Sequence, residues 1–415
     1  MLHVAGGNWK ARKRGRMAEW RLVGMLSIGQ LVVWGALYYG FAVIVTPMEA
    51  DLGWAKTDTN GALTLGLLVA GVAAVPVGQW IDRHGAFWPM TLGAIVGGAL
   101  LIVWSFVDMA WQFFIVWALL GVTLAATLYE PAFAVIAANV AQWRRGILYL
   151  TFVGGLASTA FVPLAQWLVE SWDWRTALRV LGAIVVVVGG GIHLAVLPGT
   201  KAKGEAARVA DAAAAGTPSA LRAAMARPAF WGIAIAYFGY NFAGASVVFH
   251  LIPLLNERAV DTSVIVAVWA TIGPMQVAGR VALMVLGNRV DARSTGRVAI
   301  LILPVSVLLL AAVGADTPLL FAFAILYGAS NGMMTIVRGT IVPELMGPRG
   351  YATINGALAF PANTARAVAP VGAAVIWGWG GYDAVLWVLL GVCCLAAIAF
   401  WMASIRSATA ANSDA

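Results

Sequence analysis

The sequence predicts an all-α membrane protein with twelve transmembrane helices, six on either side of a long polar interval, and three observations lead there. Hydrophobic residues make up 61 % of the chain, charged residues only 11 %, and the mean hydropathy is +0.86. Soluble domains carry about a quarter charged residues. Apolar runs of about 20 residues recur along the whole chain, each long enough to cross a hydrocarbon core of about 30 Å. Lys and Arg collect in every second connection between those runs, as cytoplasmic loops require.

In chain order the predicted helices lie near 21 to 47, 60 to 81, 87 to 107, 111 to 140, 147 to 169, 176 to 197, 229 to 253, 263 to 286, 297 to 314, 318 to 342, 351 to 376 and 382 to 405. The basic start, Lys10 to Arg16, precedes an apolar run too long for a signal-peptide core and without a small-x-small cleavage site, so the first helix is expected to stay uncleaved. The longest polar interval, 198–228, divides the chain into an N-terminal bundle, 1–197, with a basic cytoplasmic tail, and a C-terminal bundle, 229–415. Within the interval, Thr217 and Pro218 predict the start of a short surface helix over 219–226.

Charge tests the helix count. One set of loops holds the tail, Arg83, Arg144 with Arg145, the central interval (Lys201, Lys203, Arg208, Arg222, Arg227), Arg289, Arg293, Arg297 and Arg349. The other set holds mainly acids: Glu49, Asp51, Asp58, Asp108, Glu170, Asp173, Glu257, Asp261, Asp316 and Asp383. Both termini are therefore expected to be cytoplasmic, in a multi-pass protein of the cell membrane. Tryptophans such as Trp80, Trp88, Trp111, Trp172, Trp231 and Trp379 fall at helix ends, as an interfacial belt requires. The net charge of +8 is spread over helix ends rather than one face, so no nucleic-acid partner is expected. Cys393 and Cys394 are adjacent in one apolar run and read as packing residues. The chain contains no His-Glu-x-x-His and no Gly-x-x-x-x-Gly-Lys, so neither an enzyme nor ATP-driven transport is expected, and no cofactor or metal.

Gly78-Gln79-Trp80-Ile81-Asp82-Arg83-His84-Gly85 reads as a tight charged hairpin between the second and third helices. A related stretch, Gly287 to Arg293, follows 209 residues later; both contain Gly-x-x-x-Asp, but the second lacks Arg after Asp291. Six helices plus six, a long central interval, and Gly-x-x-x-Asp-Arg-x-Gly in this position together resemble the major facilitator superfamily. The resemblance implies two bundles around a central cavity, each made of 3+3 inverted repeats, with transport by rocking one bundle against the other. It also implies that helices 1, 4, 7 and 10 line the cavity, that 2, 5, 8 and 11 form the bundle interface, and that 3, 6, 9 and 12 face lipid. Gly78, Asp82, Arg83 and Gly85 are then gating candidates. The Asp82 carboxylate would meet the positive end of a helix dipole near Gly350 and Tyr351 while the cytoplasmic ends are together. The alternative is that Asp82 and Arg83 only shape the hairpin and orient the chain.

Ionisable residues inside predicted helices point toward the substrate, because burying charge in hydrocarbon is costly. They are Glu130, His193, His250, Arg280, Arg338 and Arg366. Three arginines against one carboxylate favour a small organic anion, held bidentately by Arg280 or Arg366. Fixed ion pairs are the other reading of these arginines. Arg338 is close enough to the helix end to snorkel. Glu130, just before Pro131, is the proton-coupling candidate, or half of a permanent salt bridge. His193 reads as structural and His250 as interfacial. Tyr38, Tyr240 and Asn241, with Gln30, Trp34, Tyr39 and Tyr237, are the polar and aromatic groups expected to shape the site.

Within the superfamily the chain resembles bacterial members related to monocarboxylate and oxalate/formate transporters, through Arg280 in helix 8 and Trp143-Arg144-Arg145-Gly146 between helices 4 and 5. It departs from them at Gln276, where some carriers place an acid, and in Trp34 to Gly40, which lacks the acidic signature of that group. The leading expectation is symport of a monocarboxylate with a proton. The alternative is proton-driven export of drugs or other hydrophobic compounds, although Gly154 to Pro163 lacks the Gly-Pro signature of exporters.

Overall fold

The structure, a computed structural model, describes residues 4–197, 220–312 and 317–413. Among the described residues there is no β-strand, and eleven helices are long and apolar enough to cross a membrane. They are α1 (Arg16–Leu52), α2 (Lys56–His84), α3 (Phe87–Trp104), α4 (Ala110–Asn139), α5 (Trp143–Ser171), α6 (Trp174–Val196), α7 (Pro228–Glu257), α8 (Thr262–Leu286), α9 (Ala292–Ala312), α10 (Thr317–Met346) and α11 (Tyr351–Ile405). Of the expected surface helix, Ala220–Met225 is helical, while Thr217, Pro218 and Ser219 lie outside the described residues, as do Lys201, Lys203, Arg208 and Asp316.

Helix ends follow local chemistry. The Asp173 side chain accepts from the Thr176 amide at 2.8 Å at the start of α6, and Asp261 does the same for Ser263 at the start of α8. Each satisfies an amide that the first turn leaves without a partner. The Thr176 backbone bond holds the Asp173 carboxyl below its ordinary value, and the Ser263 hydroxyl does so for Asp261. Large apolar side chains such as Leu92, Val96, Val187, Val285 and Val371 are exposed, and hydrocarbon is the solvent that tolerates them.

Two expectations need correction. The charged stretch 78–85 is not a turn from its start: α2 runs through His84, and only Gly85, at φ 84°, ends it. A left-handed residue is what stops the helix, and Gly78 has helical backbone. The related stretch is built differently, because Asp82 lies in the last turns of α2 whereas Asp291 accepts from the Ser294 amide at 2.8 Å at the start of α9. The segments expected as two closing helices, 351–376 and 382–405, are two helical limbs of α11, separated by non-helical backbone at Gly380 and Gly381.

The chain divides into two compact units, residues 1–62 with 79–215, and residues 63–78 with 216–415. The core of unit 1 is aromatic: Trp104, Phe113 and Trp117 are fully buried, and the Trp104 Nε1 donates to Met48 Sδ at 3.1 Å. α3 and α6 meet backbone to backbone, since a Cβ on Gly98 or on Gly182 would lie 2.5 Å from the carbonyl oxygen of the other. In unit 2 the strip Gly71, Ala74, Gly78 of α2 packs on α11. A Cβ on Gly78 would lie 2.7 Å from the Ala352 carbonyl carbon, and one on Gly356 would lie 2.7 Å from that of Ala74.

Each unit is also tied at one end by an arginine. In unit 1, Arg175 at the start of α6 donates to the Ser105 carbonyl beyond α3 at 2.9 Å and to Asp108 at 2.7 Å. In unit 2, Arg258 at the end of α7 donates to the Leu310 carbonyl in α9 at 2.7 Å and to Asp383 at 2.9 Å. Each arginine satisfies a carbonyl in the last turn of a helix or just past it, and brings in a second element through the carboxylate.

Candidate functional site

In unit 1 the polar groups converge on a break in α4. Pro131 has no amide proton, so the Thr127 carbonyl, four residues earlier, loses its helical partner. Leu128 leaves helical geometry (φ −73°, ψ −158°), splitting α4 into Ala110–Thr127 and Tyr129–Asn139. The freed carbonyl is taken up by Gln30 of α1, whose Nε2 donates to it at 2.7 Å. Glu130 is half-buried in the first turn of the second segment, where the helix dipole favours negative charge. α1 itself widens to a π-helix over Trp34–Tyr39. Its aromatic rings contact one another and α4: Trp34 lies 5.3 Å from Tyr38 and 4.9 Å from Tyr129, centroid to centroid. Tyr38 is half-buried in this group.

Unit 2 builds its polar groups around α10. Tyr240 on α7 is buried, its hydroxyl 3.4 Å from Ser330 Oγ of α10, which itself donates to the Ala299 carbonyl of α9 at 2.7 Å. Tyr327 reaches the Gly244 carbonyl at 3.1 Å, tying α10 to α7 a second time. Asn241 is half-buried, and its Nδ2 is spent on the Tyr237 carbonyl of its own helix, at 2.7 Å. Arg366 on α11 is half-buried and donates to Asn363 Oδ1 at 3.3 Å.

Arg280 stands apart from this group. Its position follows from the α8–α10 crossing, where a Cβ on Gly328 would lie 2.6 Å from the Ile272 carbonyl oxygen and one on Gly279 would lie 2.6 Å from that of Ala329. Gly332 abuts the Gln276 carbonyl more closely still. With the two backbones this close, the residue after Gly279 is carried into the interior. Arg280 is 5 % exposed, and its guanidinium makes no hydrogen bond or ion pair among the described residues. A buried guanidinium keeps its charge and its five donors.

The fold thus gathers Gln30, Trp34, Tyr38 and Glu130 about the α4 break in unit 1, while in unit 2 Tyr240 meets Ser330, Arg366 meets Asn363, and Arg280 lies at the α8–α10 crossing. His193 is buried, with Nδ1 3.0 Å from the Met90 carbonyl of α3. His250 lies 3.0 Å from the Pro370 carbonyl and 3.3 Å from the Tyr382 hydroxyl, joining the two limbs of α11. Sequence reasoning missed Ser330, Tyr327 and Tyr129. Tyr129 was legible as the neighbour of Glu130-Pro131; for Ser330 no sequence signal exists, because its role comes from which helices α10 meets.

Residues 26–284 match the family described as Major Facilitator Superfamily. Among characterised proteins the chain is 24 % identical over 331 residues to Monocarboxylate transporter 13 of Rattus norvegicus, covering 78 % of this chain and 72 % of the relative. It is 31 % identical over 191 residues to an MFS-type efflux pump of Mycolicibacterium smegmatis, covering 43 % and 42 %. The fold is similar to that of the human organic anion transporter MFSD10 (TETRAN), at a TM-score of 0.69 and 16 % identity over 92 % of this chain and 99 % of that one. It is equally similar to the E. coli fucose:proton symporter FucP, at 0.69 and 11 % identity over 92 % and 98 %.

Proposed function

The chain belongs to the Major Facilitator Superfamily, and from that premise we propose that it carries a small organic anion, a monocarboxylate, together with a proton. The observation that carries this reading is the buried, unpaired Arg280. A permanent cation without a protein counter-ion is stable in a carrier whose substrate supplies the negative charge, and a planar carboxylate matches the guanidinium bidentately. The name of the rat relative supports the substrate class.

Around that contact, Arg366 and Tyr240 form a second group able to meet a carboxylate or its polar tail, with Tyr38 and Asn241 shaping the aromatic walls. Glu130, at a helix start inside the membrane, takes and releases the coupled proton. Gly78, Asp82, Arg83 and Gly85 close the cytoplasmic side: the glycine strip lets α2 lie against α11, and Asp82 sits in the last turns of α2, the end of a helix dipole that disfavours negative charge. In this reading α11 crosses the membrane twice, turning at Gly380 and Gly381, which makes twelve crossings in two six-helix bundles with both termini cytoplasmic, in the cell membrane.

Uptake of labelled carboxylates into proteoliposomes tests the proposal, with and without an inward proton gradient. Accumulation driven by the gradient and lost in Arg280→Ala is the expected result; carboxylate uptake that survives both Arg280→Ala and Arg366→Ala removes the binding claim. The efflux-pump relative supports a second reading, export of hydrophobic compounds. Cells protected from diverse toxic compounds, with no carboxylate accumulation, would establish that reading instead.

A further inference from the structure

Arg297 is a cation of unit 2 that the transport reading leaves unused. It lies in the second turn of α9, about 7 to 8 Å along the helix from Ala292. Its Nε donates to Ser404 Oγ on the second limb of α11 at 2.7 Å, and its Cζ lies 5.0 Å over the Trp401 ring of that limb. Ser404 is buried and is itself held, since its Oγ donates to the Trp401 carbonyl at 2.8 Å. The guanidinium is thus fixed along one edge and one face. Neither of its Nη groups makes a hydrogen bond or ion pair among the described residues. The acids at this end of unit 2 serve the start of α9 instead: Asp291 accepts from the Ser294 amide, and Glu344 from the Ala292 amide.

The surroundings of Arg297 face hydrocarbon. Arg297, Leu301 and Val305 recur at four-residue steps and share one face of α9, on which Leu301 and Val305 are exposed. On the second limb of α11, Trp401 and Ile398, one turn earlier, are exposed as well. Arg293, one turn nearer the start of α9, adds positive charge on the face of Arg297; its Nη2 donates to the Glu344 carbonyl at 3.0 Å. Arg289, in the connection before it, is exposed. A half-buried guanidinium pinned at the ends of two lipid-facing helices, with its Nη edge open, matches a pair of phosphate oxygens. The neighbouring arginines favour a headgroup of net negative charge over a zwitterionic one, whose own cation they repel. A soluble anion would gain nothing from the apolar rows beside the arginine. We propose that Arg297, positioned by Ser404 and Trp401, binds the phosphate of an anionic phospholipid whose acyl chains lie along α9 and the second limb of α11.

The test uses the full chain in detergent, titrated with phosphatidylglycerol, with phosphatidylcholine of the same acyl chains, or with inorganic phosphate. Melting temperature and native mass spectrometry are the readouts. Phosphatidylglycerol should stabilise the protein and stay bound at lower concentration than phosphatidylcholine, and inorganic phosphate should do neither. Arg297→Gln keeps a donor for Ser404 and removes the charge, so it should raise the half-saturating phosphatidylglycerol by about tenfold or more. That substitution also touches the contact between α9 and α11, so a photoactivatable phosphatidylglycerol on the unaltered protein supplies a second measurement. Its label should map to peptides holding 297–305 and 398–405. Unchanged phosphatidylglycerol affinity in Arg297→Gln, an equal response to the two lipids, or label confined to other peptides overturns the site. Stabilisation by inorganic phosphate equal to that by phosphatidylglycerol overturns the lipid assignment in favour of a soluble anion.

Discussion

Replacing Arg280 by Met separates a substrate-binding arginine from a structural one, because the two roles predict opposite changes in stability. Met fills a similar volume and carries no charge. An arginine 5 % exposed and without a protein partner burdens the fold, so Arg280→Met should leave the ligand-free protein unchanged or more stable, by about 1–4 kcal/mol. A fixed buried ion pair would behave in the opposite way, with the loss of one partner costing about 3–5 kcal/mol. Binding should move differently. Hydrogen bonds to a charged group contribute about 1.5–3 kcal/mol each, so a bidentate carboxylate loses about 3–6 kcal/mol. At about 1.4 kcal/mol per decade, that weakens affinity by roughly 10²- to 10⁴-fold. The assay is thermal unfolding in detergent with and without carboxylate. The expected result is a melting temperature that holds or rises, together with loss of the carboxylate-induced shift. A sharp fall in the ligand-free melting temperature, or a carboxylate shift that survives, would refute the reasoning.

The α8–α10 crossing should be intolerant of volume: Gly332→Ala pushes a methyl into the Gln276 carbonyl and should cost about 1–3 kcal/mol, while Gly24→Ala, with nothing within 4 Å, should leave the melting temperature unchanged. At the α4 break, Gln30→Leu strands the Thr127 carbonyl and should destabilise by about 1–3 kcal/mol. Adding Pro131→Ala returns an amide proton to that carbonyl, so the double variant should be more stable than Gln30→Leu alone; simple additivity in a thermal double-mutant cycle would contradict the assignment. Asp173 and Asp261 are held below the ordinary carboxylate value of 3.8 by their caps on α6 and α8. Their contribution is complete above that value and disappears as pH falls through the lower folded value. Asp173→Asn and Asp261→Asn should therefore lower the melting temperature near neutrality and flatten the acid limb of its pH profile, with variant and parent converging below the folded value.

Much of the fold was legible because the bilayer allows so few solutions. A run such as Phe87–Trp104 must satisfy its backbone internally, so apolar length alone marks it as a helix. Charge at the ends of such runs was readable for the same reason. Helix ends were less so. α2 passes through Trp80, Ile81 and Asp82 to Gly85, because polar residues at an interface do not themselves stop a helix, whereas a left-handed residue does. The candidate site was legible only as residue types inside helices. Glu130-Pro131 announced a disturbed helix, and Arg280 and Arg366 announced a positive interior.

From the chain alone come the membrane class, the family pattern around Asp82, and the excess of buried arginine over buried acid, all properties of composition and local order. Which group answers which was decided only by tertiary structure. Gln30 and Thr127 are 97 positions apart, and nothing in either residue marks the other as its partner. Arg280 is buried because Gly279, Gly328 and Gly332 bring α8 and α10 together, and no ion pair joins it among the described residues. The physical reason is range: periodicity and propensity act within a helix turn or two, whereas a hydrogen bond or an uncompensated charge depends on what another helix presents at the same depth.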